Sequence, residues 1–139
     1  METIVYAYVV GDIIHVGHLF HLENAKALGD KLIVGVLTDR AVMEKKPKPT
    51  ISFDERMRLI KSLKCVDVVV AQETYSPIGN LKSIRPNILI ESSSHSGKDL
   101  EDTYTIAKEY GIQFVKLPYY PEQSSSKIKE EVKNAQANE

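Results

Sequence analysis

The sequence predicts an α/β protein, a Rossmann-like doubly wound sheet of five parallel strands. Three observations carry that prediction. Short apolar runs alternate with amphipathic stretches along the chain. One run, Leu32-Ile33-Val34-Gly35-Val36-Leu37, is unbroken, as in a central strand covered on both faces. The stretches between the runs open on serine or stop at glycine, which are ordinary helix boundaries.

The elements follow in order. Ile4 to Val10, rich in Val and Tyr, is the first strand. Leu19 to Leu28 reads as a helix, with Leu19, Leu22, Ala25 and Leu28 at helical spacing and Gly29 as its stop. The Leu32–Leu37 run is the second strand. Ser52-Phe53-Asp54-Glu55 has the form of a capping box, which starts a helix that turns Met57, Ile60 and Leu63 to the core. Val66 to Ala71 is the third strand. A short helix around Leu81 follows Pro77 and Gly79, and Ile88-Leu89-Ile90 is the fourth strand. Leu100, Tyr104 and Ala107 mark another helix, stopped at Gly111. Gln113 to Leu117 is the fifth strand, and Ser124 caps a last helix carrying Ile128 and Val132.

Composition narrows the function. The 139 residues suit one domain over 1–133, with a polar tail at 134–139 expected to fray. A formal net charge of −1 gives no chain-wide basic field for nucleic acid. The single cysteine, Cys65, permits no disulfide within the chain and reads as a structural thiol. No run approaches the ~20 apolar residues of a membrane span. Met1-Glu2-Thr3 enters a strand pattern without the basic start of a signal peptide. A soluble, cytoplasmic protein is the expectation.

The chemistry concentrates in Gly11-Asp12-Ile13-Ile14-His15-Val16-Gly17-His18, which follows a strand and opens a helix. Histidines three apart point the same way around one turn. The glycine between them lets a ligand approach the backbone. A helix start adds free amides and partial positive charge, so phosphate is the natural ligand. Asp12 either holds a divalent ion or positions the chain. A metal site built on His15, His18 and His21 is the competing reading, although zinc usually needs more ligands than this segment offers. The only dense basic run, Lys45-Lys46-Pro47-Lys48-Pro49, lies between the second strand and the next helix, on the ligand-binding edge of the sheet.

The segment Asp12 to His18 resembles the HxGH signature of the nucleotidyltransferase superfamily, which includes cytidylyltransferases, phosphopantetheine adenylyltransferase and the catalytic domains of class I aminoacyl-tRNA synthetases. The likeness continues in order. Ala25-Lys26-Ala27-Leu28-Gly29-Asp30-Lys31-Leu32-Ile33-Val34-Gly35-Val36 is similar to the "AK-LGD-LVV" run of glycerol-phosphate, ethanolamine-phosphate and phosphonate cytidylyltransferases. Thr38-Asp39, Ser52-Phe53-Asp54-Glu55-Arg56, Val66-Asp67 and Ser124-Ser125-Ser126-Lys127-Ile128-Lys129 match their "TD", "S-Y-E-x-R", "VD" and "STTKIK".

The resemblance implies the nucleotidyltransferase fold and transfer of CMP from CTP to a phosphate- or phosphonate-bearing small molecule, with release of pyrophosphate. It implies His15 and His18 on the phosphates and Lys45 or Lys46 as the mobile-loop lysine. Val10, Gly11, Asp12, Gly17, Arg56, Ser93, His95, Ser124, Ser125 and Ser126 are then the nucleotide-binding residues. Mg²⁺ comes with the nucleotide, and relatives are commonly dimers.

The chain departs from the pattern in three places. Val9-Val10-Gly11-Asp12 replaces "GTFD". Glu91-Ser92-Ser93-Ser94-His95-Ser96-Gly97-Lys98 stands for "GDDW-GK", the segment that the resemblance sets by the base and the acceptor, with serine for the acidic pair and His95 for the tryptophan. Tyr119-Tyr120-Pro121-Glu122-Gln123-Ser124 replaces "RTEGIS" and loses its arginine. The missing acidic pair motivates a second reading, an adenylyltransferase using ATP on a flavin or sugar phosphate. The missing arginine motivates a third, a nucleotide-binding domain without turnover.

Overall fold

The computed structural model describes residues 1–92 and 97–117. Its strands are β1 (Ile4–Val9), β2 (Lys31–Leu37), β3 (Val68–Gln72), β4 (Ile88–Ser92) and β5 (Gln113–Leu117). They form one sheet in the order β3-β2-β1-β4-β5, with every pairing parallel. The chain winds outward from β1 to β3, then crosses back to β4. The order therefore reverses between β1 and β4, the place where such sheets bind ligands.

Two layers of helices cover the sheet. The helices α1 (Val16–Lys26) and α3 (Phe53–Lys61) bury Leu22, Ala25 and Ile60 against Val5, Ala7, Val9, Val34 and Val36. On the other face, α4 (Ile78–Ile84) and α5 (Lys98–Glu109) bring Leu81 and Ala107 onto Tyr6, Ile33 and Leu89. β2 lies inside, with Leu32 to Leu37 all buried. Among the described residues, no helix is long and apolar enough to cross a membrane.

Four details differ from the sequence expectation. A short helix, α2 (Asp39–Met43), precedes the basic run; Thr38 caps it by accepting from the Ala41 amide at 3.1 Å. β3 begins at Val68 rather than Val66, because the Asp67 carboxylate turns aside to accept the Leu32 amide at 2.8 Å and pair with Lys26 at 2.7 Å. The buried stripe of α1 is His18, His21, Leu22 and Ala25, whereas Leu28 is exposed. Histidine therefore occupies positions that an apolar pattern assigns to leucine. In α5, Thr103 and Ala107 face inward, and Tyr104 lies outside, edge-on to Phe114 at 5.5 Å. The last helix expected at Ser124 and the 134–139 tail lie outside the described residues.

Gly35 shows how tightly the second layer is built. The Tyr6 hydroxyl crosses over it to donate to Gln72 Oε1 at 2.5 Å and accept from Asn80 Nδ2 at 2.9 Å. A Cβ at Gly35 would overlap that oxygen. Relief requires breaking a buried network or displacing β2. Gly35→Ala should therefore destabilise the protein by roughly 3 kcal/mol or more, at the upper end of overpacking penalties. Urea unfolding measures this, and a midpoint unchanged from the parent would contradict it.

Candidate active site

The strand-to-helix turn after β1 is built by its own side chains. His15 is the N-cap of α1, and its Nδ1 accepts the Gly17 amide at 3.0 Å. His18 Nδ1 accepts the His15 amide at 3.3 Å. The two rings thus replace the usual hydroxyl and carboxylate of a capping box, with centroids 4.1 Å apart. Because each Nδ1 is an acceptor, each neutral ring carries its proton on Nε2. The backbone thereby fixes the tautomer and makes both Nε2–H groups donors.

Both rings favour the neutral form. Burial lowers the His15 pKa, and burial, followed by the neighbouring His15 and His21, lowers that of His18 to about 4. The effect on stability follows from the sign. An unfolded histidine protonates near 6.5, whereas folded His18 resists down to about 4, so stability is full above 6.5 and declines as pH falls through that window. The decline attributable to His18 is roughly 3 kcal/mol. His18→Asn keeps an oxygen to accept the His15 amide and removes the titration. It should flatten the fall in Tm between pH 6.5 and 4, and an unchanged pH profile would refute this account.

The loop before the pair is fixed from below. Gly11 has φ +75, a left-handed conformation that glycine adopts without strain. Asp12 is buried, and its Oδ1 accepts the Ile51 amide at 2.8 Å. Its observed work is therefore positioning. Arg56 forms an ion pair within the chain. It is 0% exposed, and its guanidinium donates to the Val10 carbonyl at 2.6 Å, the Leu37 carbonyl at 2.7 Å, the Ile51 carbonyl at 3.0 Å and Asp39 Oδ1 at 2.6 Å. Its four partners all belong to the chain itself, three carbonyls and the Asp39 carboxylate. It clamps the ends of β1 and β2 to the start of α3, a task suited to a planar fork of donors.

Lys45 Nζ pairs with Asp99 Oδ2 at 2.7 Å, both side chains being 52% exposed. This contact links the segment after α2 to the first turn of α5. Lys46 is exposed, with its amide on the Val42 carbonyl at 2.9 Å. Gly17 is buried inside the first turn of α1. Val10, Gly11, Asp12, His15, Gly17 and His18 thus follow β1 in one strand-to-helix turn, whereas Lys45 makes its contact with Asp99 in the first turn of α5. Ser93, His95, Ser124, Ser125 and Ser126 lie outside the described residues. Among the described residues, no three histidine, cysteine or carboxylate side chains form a group able to hold a metal. Sequence reasoning missed the Tyr8–Glu91 pair, in which the phenol donates to Oε1 at 2.7 Å and Oε2 at 2.6 Å. The glutamate ending an otherwise apolar strand was the available signal.

A family model described as cytidylyltransferase-like matches residues 11–131. The bifunctional protein HldE of Helicobacter acinonychis (strain Sheeba) is 34% identical over 136 residues, covering 96% of this chain and 28% of that protein. HldE of Campylobacter fetus subsp. fetus is 32% identical over 116 residues, covering 82% and 25%. The chain therefore spans little more than a quarter of these curated relatives. Among solved structures, the lipopolysaccharide core biosynthesis protein from Thermoplasma volcanium GSS1 is similar at TM-score 0.78 and 26% identity, covering 86% of this chain and 99% of that one. Pantothenate synthetase from Thermus thermophilus, at TM-score 0.57 and 12% identity, covering 84% and 56%, shares the fold alone.

Proposed function

The chain belongs to the cytidylyltransferase-like family of nucleotidyltransferases, and from that premise we propose that it transfers AMP from ATP to a sugar phosphate, releasing pyrophosphate. The observation that carries nucleotidyl transfer is the pair of neutral histidines held by backbone amides, with the proton of each ring on Nε2 as a donor suited to phosphate. The choice of sugar phosphate is supported by the likeness to a lipopolysaccharide core biosynthesis protein, which this chain matches over 99% of its length. A lipopolysaccharide core is made of sugars, and sugars are activated for polymer synthesis by joining them to nucleotides. ATP is favoured over CTP because Ser93 and Ser94 stand where the cytidylyltransferases carry an acidic pair.

In this reading a phosphate oxygen of the acceptor attacks the α-phosphorus in line. The bond from that phosphorus to the bridging oxygen breaks, and pyrophosphate leaves with the electron pair. The protein positions two anions and donates hydrogen bonds where charge gathers. His15 and His18 bond the α- and β-phosphate oxygens. Lys45 exchanges Asp99 for phosphate as the nucleotide enters, with Lys46 beside it. By the family resemblance, Ser124, Ser125 and Ser126 would bind the triphosphate, and His95 the base or the acceptor. Mg²⁺ bound with the nucleotide would neutralise phosphate charge and need few protein ligands. This suits a loop whose one carboxylate, Asp12, already accepts the Ile51 amide. A homodimer is part of the proposal.

The second reading, CMP transfer from CTP to a polyol phosphate or phosphonate, is favoured by the matches at Ala25 to Val36 and Ser52 to Arg56. The experiment pairs each of the four NTPs with hexose 1-phosphates, polyol phosphates and phosphonates and reads pyrophosphate release. ATP with a hexose phosphate should give the highest kcat/KM. Preference for CTP with a polyol phosphate would establish the second reading instead.

A further inference from the structure

The segment that carries Lys45 and Lys46 is rooted on α2, since both lysine amides donate to the Val42 carbonyl, at 3.1 and 2.9 Å. The helix itself is held at both ends from the end of β3. Gln72 closes that strand and is 1% exposed. Its carbonyl accepts the Thr38 amide at 3.0 Å, and Thr38 is the N-cap of α2. Its side-chain Nε2 donates to the Thr74 and Tyr75 carbonyls, each at 3.2 Å. The Tyr75 amide in turn donates to Glu44 Oε2 at 3.0 Å, and Glu44 is the C-cap of α2. Lys45 is the next residue.

A buried glutamine is costly at the end of an otherwise apolar strand, Val68-Val69-Val70-Ala71, unless its polar atoms find partners. Gln72 finds them: its Oε1 accepts the Tyr6 hydroxyl at 2.5 Å, beside the two bonds of Nε2. The Thr74–Tyr75 backbone is thereby fixed to the sheet. The Tyr75 side chain packs against the cluster of Leu37, Ala41 and Val42, the last two on α2. At the other end of Lys45 the hold is looser. Its ammonium meets Asp99 in an ion pair with both side chains 52% exposed, a kind of contact that contributes little and exchanges readily. The base of the lysine segment is thus tied through backbone groups, and its tip is free to change partner. Where the stem starts decides what the tip can reach, and a misplacement of about 1 Å can cost on the order of 10²-fold in rate.

We propose that Glu44 is a positioning residue for the reaction: its tie to the Tyr75 amide, set in place by Gln72, fixes the end of α2 from which Lys45 and Lys46 reach the phosphates. This deepens the nucleotidyl-transfer reading and rests on it for what the lysines do. The hydrogen bond carries the effect, and the carboxylate charge does not. Glu44→Gln keeps an oxygen for the amide and drops the charge, whereas Glu44→Ala removes both.

Pyrophosphate release is measured with ATP and a hexose 1-phosphate, or with CTP and a polyol phosphate if the parent prefers that pair. Glu44 is exposed, so both variants should fold, and Tm is recorded beside the rates. Glu44→Ala should lower kcat roughly tenfold and leave the KM for nucleotide within about threefold of the parent's, the pattern of a misplaced transition-state group. Glu44→Gln should recover most of kcat. In a chain that already carries Lys45→Ala and Lys46→Ala, whose residual rate is read in single turnover, Glu44→Ala should cost nothing further, because the tie acts through the lysines alone. Three results would each overturn the proposal: a parental kcat in Glu44→Ala, a Glu44→Gln variant as slow as Glu44→Ala, or the same fold-loss from Glu44→Ala with and without the lysines. The last of these, with a lowered Tm, would make Glu44 a structural cap only. Failure of the underlying reading looks different: the parent itself would release no pyrophosphate from any NTP and acceptor pair, and the positioning role would fall with it.

Discussion

His18→Ala should lower kcat by roughly 10²–10³ while the protein remains folded at neutral pH, the usual result of removing one preorganised donor. The size of the effect follows from how the ring is held. Its Nδ1 is tied to the His15 amide and its proton sits on Nε2, so the donor needs no reorganisation when charge develops on phosphate. Because the ring is neutral at pH 7, the loss appears as a missing hydrogen bond rather than a missing cation. Raising the salt concentration should not mimic it. His15→Ala should lower kcat similarly and also cost about 1 kcal/mol of stability, since His15 is the N-cap of α1. Single-turnover pyrophosphate release, with Tm measured beside it, checks both variants. Turnover near the parent's in a folded His18→Ala protein would remove the histidines from the chemistry.

Arg56→Met should destabilise the chain by roughly 3–5 kcal/mol, the range seen when one partner of a buried ionic contact is removed. Methionine matches the volume but supplies none of the donors. The Val10 and Leu37 carbonyls lose their contacts at 2.6 and 2.7 Å, the first part-buried and the second buried. Asp39, 35% exposed, regains some hydration, so the stranded carbonyls carry most of the penalty. Arg56→Lys should recover little, because a single ammonium cannot reach four acceptors at once. Denaturant unfolding reads the effect, and a loss under about 1 kcal/mol would show that the clamp is not what holds these loops.

The sheet was legible because its signals are local and strong. The unbroken Leu32–Leu37 run could only be a covered strand, and β5 falls at the expected Gln113–Leu117. The helix faces were less legible where polar residues turn inward. His18 and His21 look like surface residues in the α1 pattern, and Thr103 lies where Tyr104 was expected. Spacing marked the histidine turn but left a metal site open, and the resemblance to the HxGH signature chose phosphate. Arg56 could be placed near the site but not assigned its task, because the acceptors it binds are backbone carbonyls that no side-chain pattern reveals. Likewise, the Tyr8–Glu91 pair depends on which strands are neighbours, and pairing β1 with β4 is a non-local fact.

The most direct test of nucleotidyl transfer follows the phosphorus atoms. The protein is incubated with a hexose 1-phosphate and either α-labelled or γ-labelled ATP, and the products are separated. The account predicts that the α label enters the sugar product and the γ label leaves as pyrophosphate. A γ label found on the sugar, or released as inorganic phosphate with the α label left in ADP, would mean that a different bond is broken and would contradict it.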